Sequence, residues 1–212
     1  MHIPDGFINA PVAVTTGVIA VAAIAVAVKA TNKKVGEKQI PMMGVLAAFI
    51  FAAQMLNFPV AGGTSGHFVG AALAAILLGP WAAVLIMSSV LVVQCLIFQD
   101  GGLLALGANI TNMGIIAGFC SYYIYKGIDA LLKHSKAGAL IGAGIGAWFA
   151  VVLASLVCAA ELAVSGTSPW EVVIPAMVGI HMVIGVGEAL ITVAVLSLIM
   201  ATRADLLKLQ IA

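Results

Sequence analysis

Charged residues are scarce in this sequence. Asp, Glu, Lys and Arg make up 8% of the 212 residues, whereas a soluble domain carries about 25%. Hydrophobic residues make up 63%, and the mean hydropathy is +1.21. These values exclude a water-soluble domain and predict an all-α integral membrane protein with room for several helices of about 20 residues. The net charge of +1, carried by scattered basic residues, provides no stripe for nucleic acid.

Three further features are missing from the sequence. It has no glycine-rich phosphate-binding loop, so any use of ATP is expected to belong to a partner. Cys95, Cys120 and Cys158 lie in apolar runs without the C-x-x-C spacing of metal or redox sites, which favours small hydrophobic core residues. No Lys or Arg precedes the first apolar run, so that run is expected to be a permanent helix rather than a cleaved signal.

Seven apolar runs predict a bundle of seven transmembrane helices, over residues 10–28, 41–58, 67–78, 81–98, 103–125, 137–164 and 172–200. We expect one transmembrane domain, 1–212, in which residues 1–9 form a metal-binding segment. With the N-terminus outside and the C-terminus in the cytoplasm, every basic residue falls on the inner side. These residues are Lys29, Lys33, Lys34, Lys38, Lys126, Lys133, Lys136, Arg203 and Lys208. The N-terminus and the turns near His67, Asp100 and Ser165 would then share the outer face.

The first six residues, MHIPDG, have the chemistry of a chelator. The Met1 amine, the His2 amide nitrogen and the His2 ring can close around one cation as adjoining five- and six-membered rings. The bulk of His2 is expected to keep Met1 in place. Ile3–Gly6 suits a tight turn, with Pro4 in its second position and Gly6 in its fourth. The alternative is that His2 stands beside the N-terminus by accident.

His67 is the second candidate ligand. Ser65 is predicted to cap the third helix, which would put His67 in the first turn, where the helix dipole favours a neutral ring that can bind metal. Together with the N-terminal chelate, this gives four nitrogens, a set that suits Ni(II) or Cu(II) better than tetrahedral Zn(II). The alternative is an interfacial histidine that hydrogen-bonds a loop carbonyl.

Three stretches carry a resemblance to a known family: MHIPDG at 1–6, GGTSGH at 62–67 and ALGANITNMG at 105–114. They resemble the substrate-capture membrane subunit of nickel and cobalt energy-coupling-factor (ECF) transporters, in a prokaryotic cell membrane. The resemblance implies seven helices and metal bound near the outer surface by Met1, His2 and His67. It also implies a transmembrane coupling subunit, two cytoplasmic ATPases and, in some systems, a small additional membrane subunit. Nickel is the better match to four nitrogens, and cobalt is the alternative substrate.

The resemblance also implies a contact with the coupling subunit through an A-x-x-x-A motif. Ala48 and Ala52 fit this motif in the second apolar run, and Ala23 and Ala27 fit it in the first. The second run is preferred because the first looks like a helix that this family adds to the usual six. Small residues four apart allow close helix packing.

Several polar residues lie inside apolar runs. Asn109 and Asn112 share a predicted helix face and, beside the family pattern, look like groups that hold the N-terminal segment or His67; the alternative is bonding between helices. His181 and Glu188 also share a face, either along a metal path or paired with Gln54, Gln94 or each other. For two other ionisable residues the sequence predicts only a location: Glu161 is predicted to lie at the membrane interface and His134 on the solvated surface.

Two rival functions have some support in the sequence. G-T-S-G at 63–66, followed by His181, matches the Ser65–His181 dyad that a rhomboid-like intramembrane protease would need, but the tetrapeptide is short. A protease would also leave the N-terminal chelator unexplained. An autonomous secondary transporter or channel is the other rival, and the sequence has neither an inverted repeat nor a clear charged path for it.

Overall fold

The computed structural model describes residues 1–32, 36 and 39–208, and in this part the chain is mostly helical. Lys33, Lys34 and Lys38 of the predicted basic loop lie outside the described residues. Two short strands, β1 (Phe58–Pro59) and β2 (Ser65–Gly66), pair antiparallel. The helices are α1 (Ala10–Asn32), α2 (Gln39–Gln54), α3 (Ala71–Leu78), α4 (Pro80–Val93), α5 (Leu106–Ile110), α6 (Ala117–Leu131), α7 (Lys136–Val164) and α8 (Trp170–Thr202). A 3-10 turn, Ala204–Lys208, follows α8.

Two π-helical turns extend or join these helices. Gln94–Phe98 continues α4, and Thr111–Ile116 joins α5 to α6, so that a single helical run extends from Leu106 to Leu131. Among the described residues, four helices are suited by length and composition to cross a membrane: Ala10–Asn32, Pro80–Phe98, Lys136–Val164 and Trp170–Thr202. Helices satisfy their own backbone hydrogen bonds, as a membrane span requires.

The ends of the helices only partly match the sequence-based predictions. The first helix begins at Ala10, as the first apolar run predicted, and Asn9 caps it, because its side-chain oxygen accepts the Val12 amide at 3.0 Å. The third helix begins at Ala71, not His67, so the prediction that Ser65 caps this helix is wrong. Ser65 pairs instead in β2, and Gly70 precedes the helix with a φ of 81°. That left-handed conformation breaks the helical path before it can reach back to His67.

The centre of the bundle is α3, all eight residues of which are buried. Gly142 and Gly146 of α7 allow this helix to lie close against α6: a Cβ at Gly146 would stand 2.7 Å from the Ser121 carbonyl oxygen. By contrast, α1 buries four of its 23 residues and α2 three of its 16. These two helices therefore leave most of their apolar surface to lipid or to partner helices.

The connecting segments meet at one end of the bundle, around residues 1–9. This N-terminal segment contacts β2 through Met1, the loop that follows α4 through His2, and the loop between α7 and α8 through Phe7. The sequence predicted that these connections would share a face, and the contacts confirm that they do. The fold thus gathers the predicted ligands in one place.

Candidate metal site

The N-terminal segment is an internal part of the fold. Met1 and Ile3 are fully buried and His2 is 3% exposed. The turn lies one residue later than predicted: the Phe7 amide donates to the Pro4 carbonyl, so Asp5 and Gly6 are the central residues. Gly6 has a φ of 84°, which the third position of a type II turn requires and glycine readily provides. Glycine therefore determines where the chain turns away from the site.

Hydrogen bonds hold Ile3 on both sides. Its amide donates to Asn109 Oδ1 at 2.8 Å, and its carbonyl accepts from Asn109 Nδ2 at 3.1 Å. The Gly102 amide donates to the same carbonyl at 2.8 Å. The two oxygens of Asp5 accept the amides of Leu103 and Leu104 at 3.0 and 2.8 Å. Ile3 and Asp5 are thus fixed by polar contacts with the segment 102–109.

The Met1 amine and the His2 amide converge on Ser65. The amine donates to the Ser65 carbonyl at 2.6 Å and to Ser65 Oγ at 3.0 Å. The His2 amide donates to the same Oγ at 3.1 Å. Two of the nitrogens proposed from the sequence are therefore side by side, with their hydrogens directed at one oxygen.

The contacts of the His2 ring identify the nitrogen that is free to bind. Nε2 lies 3.0 Å from Gln94 Oε1, which can only accept, so Nε2 carries the hydrogen and Nδ1 has the lone pair. Nδ1 makes no hydrogen bond, and Asp100 Oδ1 lies 3.4 Å away from it. Nδ1 is also the atom that closes a six-membered ring with the His2 amide nitrogen.

The His67 ring lies against that of His2, with centroids 4.5 Å apart and 25° between the planes. Its Nδ1 is 2.7 Å from the Phe68 carbonyl oxygen, so Nδ1 carries the hydrogen. Nε2 is therefore unprotonated, buried and without a hydrogen-bond partner. The lone pair of Nε2 is available to a metal ion, and the bond from the other ring nitrogen to a backbone carbonyl is one that metal-binding histidines commonly make.

Burial keeps these nitrogens neutral. It lowers the pKa of the Met1 amine to about 5, against the opposing effects of Cys158 and Asp100. Burial and then the amine charge lower the pKa of His2 to about 3, while the hydrogen bond to Gln94 opposes the shift. Burial also holds the pKa of His67 well below its usual value. The predicted cause, a helix dipole at His67, was wrong because α3 begins four residues later.

Asp100 is the nearest carboxyl group to His2. Burial raises its pKa, while the Met1 amine and a 2.9 Å hydrogen bond from Asn57 act in the opposite direction. A carboxylate at this position can balance part of the charge of a bound cation.

Side chains alone do not make a site here. Within residues 1–32, 36 and 39–208, no three His, Cys, Asp or Glu side chains are grouped so that they could hold a metal ion. A cation between His2 and His67 would therefore need the backbone nitrogens of Met1 and His2 as well. The cysteines are free thiols; Cys95 and Cys158 are buried and Cys120 is partly exposed.

The structure separates Asn112 from the other predicted site residues. Asn112 donates to Glu161 Oε2 at 2.6 Å and does not hold the N-terminal segment or His67. It lies in the π-helical turn Thr111–Ile116, and its bond to α7 is the contact between helices that the sequence left open as the alternative. Glu161 is correspondingly buried against its neighbours, and its place at the membrane interface stays a prediction. His134 is exposed beside Asp129, as predicted.

His181 and Glu188 have partners that the sequence did not suggest. His181 Nδ1 lies 2.6 Å from the Met177 carbonyl of its own helix. Glu188 accepts the amides of Val69 and Gly70, both at 2.7 Å. The expected pairing of these residues with Gln54, Gln94 or each other was therefore wrong. No hydrogen bond joins His181 to Ser65 Oγ, so these two described residues do not form a protease dyad.

The two A-x-x-x-A motifs differ in accessibility. Ala48 and Ala52 are exposed on α2, while Ala23 is partly buried and Ala27 is fully buried in α1. A groove of about 210 Å³ lies beside Ala48, lined by residues of α2 and α4. Only the α2 motif is open to another helix without repacking.

Sequence reasoning missed the contacts of Gln94, Asp100, Asp5 and Gly102 with the N-terminal segment. Gln94 and Asp100 could have been suspected as isolated polar residues where an apolar run meets the predicted outer face. Gly102 gave no comparable signal. A Cβ there would overlap the Asp5 backbone nitrogen and carboxylate, a contact that depends on the fold.

Comparisons with known proteins identify the family of this chain. A family model described as the cobalt uptake substrate-specific transmembrane region, CbiM, matches residues 2–206. The chain belongs to the CbiM family. A putative fused nickel transport protein, NikMN, of Archaeoglobus fulgidus is 42% identical over 210 residues, which are 98% of this chain and 68% of that protein. A cobalt transport protein, CbiM, of Sorangium cellulosum is 30% identical over 221 residues, covering 100% of this chain and 96% of that protein.

A solved structure supports the same assignment. The crystal structure of a truncated transition-metal transporter superposes with a TM-score of 0.88 at 36% identity, covering 95% of this chain and 99% of that one. The CbiM-family chain is therefore a multi-pass membrane protein of nickel and cobalt uptake, a transport protein rather than an enzyme. The protease alternative is thereby wrong.

Proposed function

We propose that this CbiM-family chain captures Ni(II) at the outer face of a prokaryotic cell membrane, as the substrate-specificity subunit of an ATP-driven ECF importer. The observation that carries the proposal is the convergence of the Met1 amine, the His2 amide and ring, and the His67 ring in one buried place. Co(II) is the alternative substrate. Nickel or cobalt is cargo, and no ATP is bound by this chain.

The proposed ligands are the Met1 amine, the His2 amide nitrogen, His2 Nδ1 and His67 Nε2. Support comes from the two ring nitrogens, each of which has a lone pair and no hydrogen-bond partner. Ser65 Oγ accepts a hydrogen bond from each of the other two nitrogens and so keeps them close together. Metal binding would use the lone pair of the amine and would remove the amide proton. Ser65 and Asn109 thus support the ligands from outside.

Nickel is preferred over cobalt for a chemical reason. Four nitrogens, one of them a deprotonated amide, favour the tetragonal geometry of Ni(II) or Cu(II). The loss of the amide proton also cancels one charge of the cation, which reduces the electrostatic penalty in a buried site. The name of the NikMN relative points the same way, at higher identity than the cobalt transport relative.

The remaining parts of the proposal concern topology and partners. Seven helical runs would cross the membrane, with the N-terminus outside and the C-terminus in the cytoplasm. Ala48 and Ala52 would face the transmembrane coupling subunit, which works with two ATPases and in some systems a small additional membrane subunit. The exposed α2 motif supports this choice over Ala23 and Ala27.

A metal titration tests the proposal. The protein is purified with Met1 verified as a free N-terminus by mass spectrometry, and Ni(II) and Co(II) are titrated in competition with a chelator of known affinity. We expect one metal ion per chain and an affinity for nickel at least about tenfold higher than for cobalt. Tighter cobalt binding would make cobalt the substrate. Failure to bind either metal would contradict the capture function.

A further inference from the structure

Glu188 lies in α8, outside the proposed ligand set, yet its carboxylate is bound to the segment that carries His67. The carboxylate is 2% exposed, and its two oxygens accept the amides of Val69 and Gly70, both at 2.7 Å. From the opposite side, Gln54 Nε2 of α2 donates to the Val69 carbonyl at 2.7 Å. Two helices therefore hold one short stretch of irregular backbone between His67 and α3.

One peptide group connects this arrangement to the His67 ring. The Val69 amide that Glu188 accepts and the Phe68 carbonyl that accepts His67 Nδ1 belong to the same peptide unit. Because a peptide unit is planar, an N–H held in one direction fixes its carbonyl in the opposite direction. Hydrogen bonds in such a chain also polarise each other. The carboxylate therefore polarises the Phe68–Val69 peptide, which makes the Phe68 carbonyl a stronger acceptor for the N–H of the His67 ring.

We propose that Glu188 is a positioning residue for metal binding, which acts through the Phe68–Val69 peptide on His67. It sets the direction of the Phe68 carbonyl, keeps the hydrogen of His67 on Nδ1 and leaves the Nε2 lone pair for the metal. A metal-bound histidine commonly donates its other N–H to a carboxylate or a carbonyl, and here a carboxylate supports the carbonyl that does so. The inference rests on the proposed function, because it requires His67 to bind the metal.

The test compares Glu188→Gln with the wild-type chain. Glutamine has nearly the same shape but only one acceptor oxygen, so one of the two backbone amides meets an amide group that cannot accept. We expect nickel affinity to fall by about tenfold or more, the usual effect of removing the outer partner of a metal-bound histidine. The visible absorption spectrum of the nickel that still binds should shift toward that of His67→Ala, since both changes weaken the same ligand.

Glu161→Gln is the matched control. Glu161 is also a buried carboxylate, but it accepts from the Asn112 side chain and makes no hydrogen bond to the described segment 67–70. This variant should keep the wild-type nickel spectrum, and its nickel affinity should be within about twofold of the wild-type value. Thermal unfolding of the metal-free proteins shows whether each variant is folded. Gln54→Met, which removes the support on the other side of Val69, is a second test if Glu188→Gln does not fold, and should shift the spectrum in the same direction.

Wild-type affinity and spectrum in Glu188→Gln, or in Gln54→Met if Glu188→Gln is unfolded, would overturn the positioning role. So would equal losses in Glu188→Gln and Glu161→Gln without any spectral shift, because that pattern indicates general destabilisation. Failure of the wild-type chain itself to bind nickel would contradict the proposed function and remove this inference with it. Failure of the proposed function and failure of the positioning role of Glu188 therefore give different experimental results.

Discussion

The N-terminal segment and the outer face of α2 carry the two parts of the proposed function, and they are built in opposite ways. The segment buries Met1, His2 and Ile3 almost completely and engages their backbone groups in hydrogen bonds. The second helix buries three of its 16 residues and leaves Ala48 and Ala52 exposed. A site that must hold a small cation is organised before the cation arrives, whereas a face that must meet a partner is left accessible. The predictions below test this contrast, from the largest expected effect to the smallest.

Removing the His67 ring should have the largest effect. His67→Ala takes away one of four proposed ligands, and we expect nickel affinity to fall by more than about 100-fold in titrations of the purified protein. His134→Ala is the control, because this exposed histidine lies next to Asp129, far from the site in sequence and in contacts. Normal nickel binding by His67→Ala would mean that the fourth ligand lies elsewhere.

Burial of the amine should make the metal-free protein sensitive to pH. The amine in the unfolded chain takes up a proton below its ordinary pKa of 8.0, whereas in the folded protein it does so only near 5. Between these values the unfolded state binds more protons, so the free energy of unfolding rises with pH. The contribution of the neutral amine to stability is therefore fully present above pH 8 and decreases as the pH falls from 8 to 5. We expect a slope of about 1 kcal/mol per pH unit.

An acetylated N-terminus provides the comparison for this slope. Acetylation removes the titration of the amine, so denaturant unfolding from pH 6.5 to 8 should lose most of its pH dependence. Below pH 6.5, His2 adds a slope of the same sign in both proteins, because its pKa is also lowered, from 6.5 to about 3. Equal slopes in the two proteins above pH 6.5 would contradict the burial of the amine.

Gly102→Ala should loosen the N-terminal segment without touching a ligand. The added Cβ would overlap Asp5, including its backbone nitrogen, which cannot rotate away. Overpacking of this kind costs about 1–3 kcal/mol, and we expect both thermal stability and nickel affinity to fall. Gly127→Ala is the matched control, because a Cβ at Gly127 has no heavy atom within 4 Å. Unchanged affinity in Gly102→Ala would show that this loop does not hold the segment.

The α2 motif should give the smallest effect on the protein itself. Ala48→Leu and Ala52→Leu change exposed residues, so stability should stay within about 0.5 kcal/mol of the wild type and nickel binding should be unaffected. Uptake by cells that contain the whole transporter, and co-purification with the coupling subunit, should fail. Ala22→Leu, on the exposed face of α1, is the control. Normal uptake in both α2 variants would exclude the motif as the contact.

The contrast between the two regions also explains which features could be predicted from the sequence and which could not. The helices were predictable because hydropathy is a local property, and the order of Met1 and His2, which suggested the proposed chelate, is local as well. The β1–β2 pair, the start of α3 at Ala71 and the bond of Glu188 to two backbone amides were not, since each depends on contacts between distant parts of the chain. The hydrogen bond from Asn112 to Glu161 likewise joins residues that are distant in sequence.

The neutral state of His67 shows that a correct expectation can have a wrong cause. The predicted helix dipole was a local argument, and it failed because Gly70 and β2 delay the helix. Burial supplies the neutral ring instead, and burial is a property of the assembled fold.

The most direct test of the account is to add one alanine before Met1. The extension turns the Met1 amine into a peptide nitrogen and moves the new terminus away from the His2 ring, while His2 and His67 remain. Native and extended chains are expressed, each N-terminus is verified by mass spectrometry, and bound nickel is measured after desalting. The account predicts one nickel per native chain and almost none in the extended chain. Equal nickel in both chains would contradict the amine ligand and the chelate built on it.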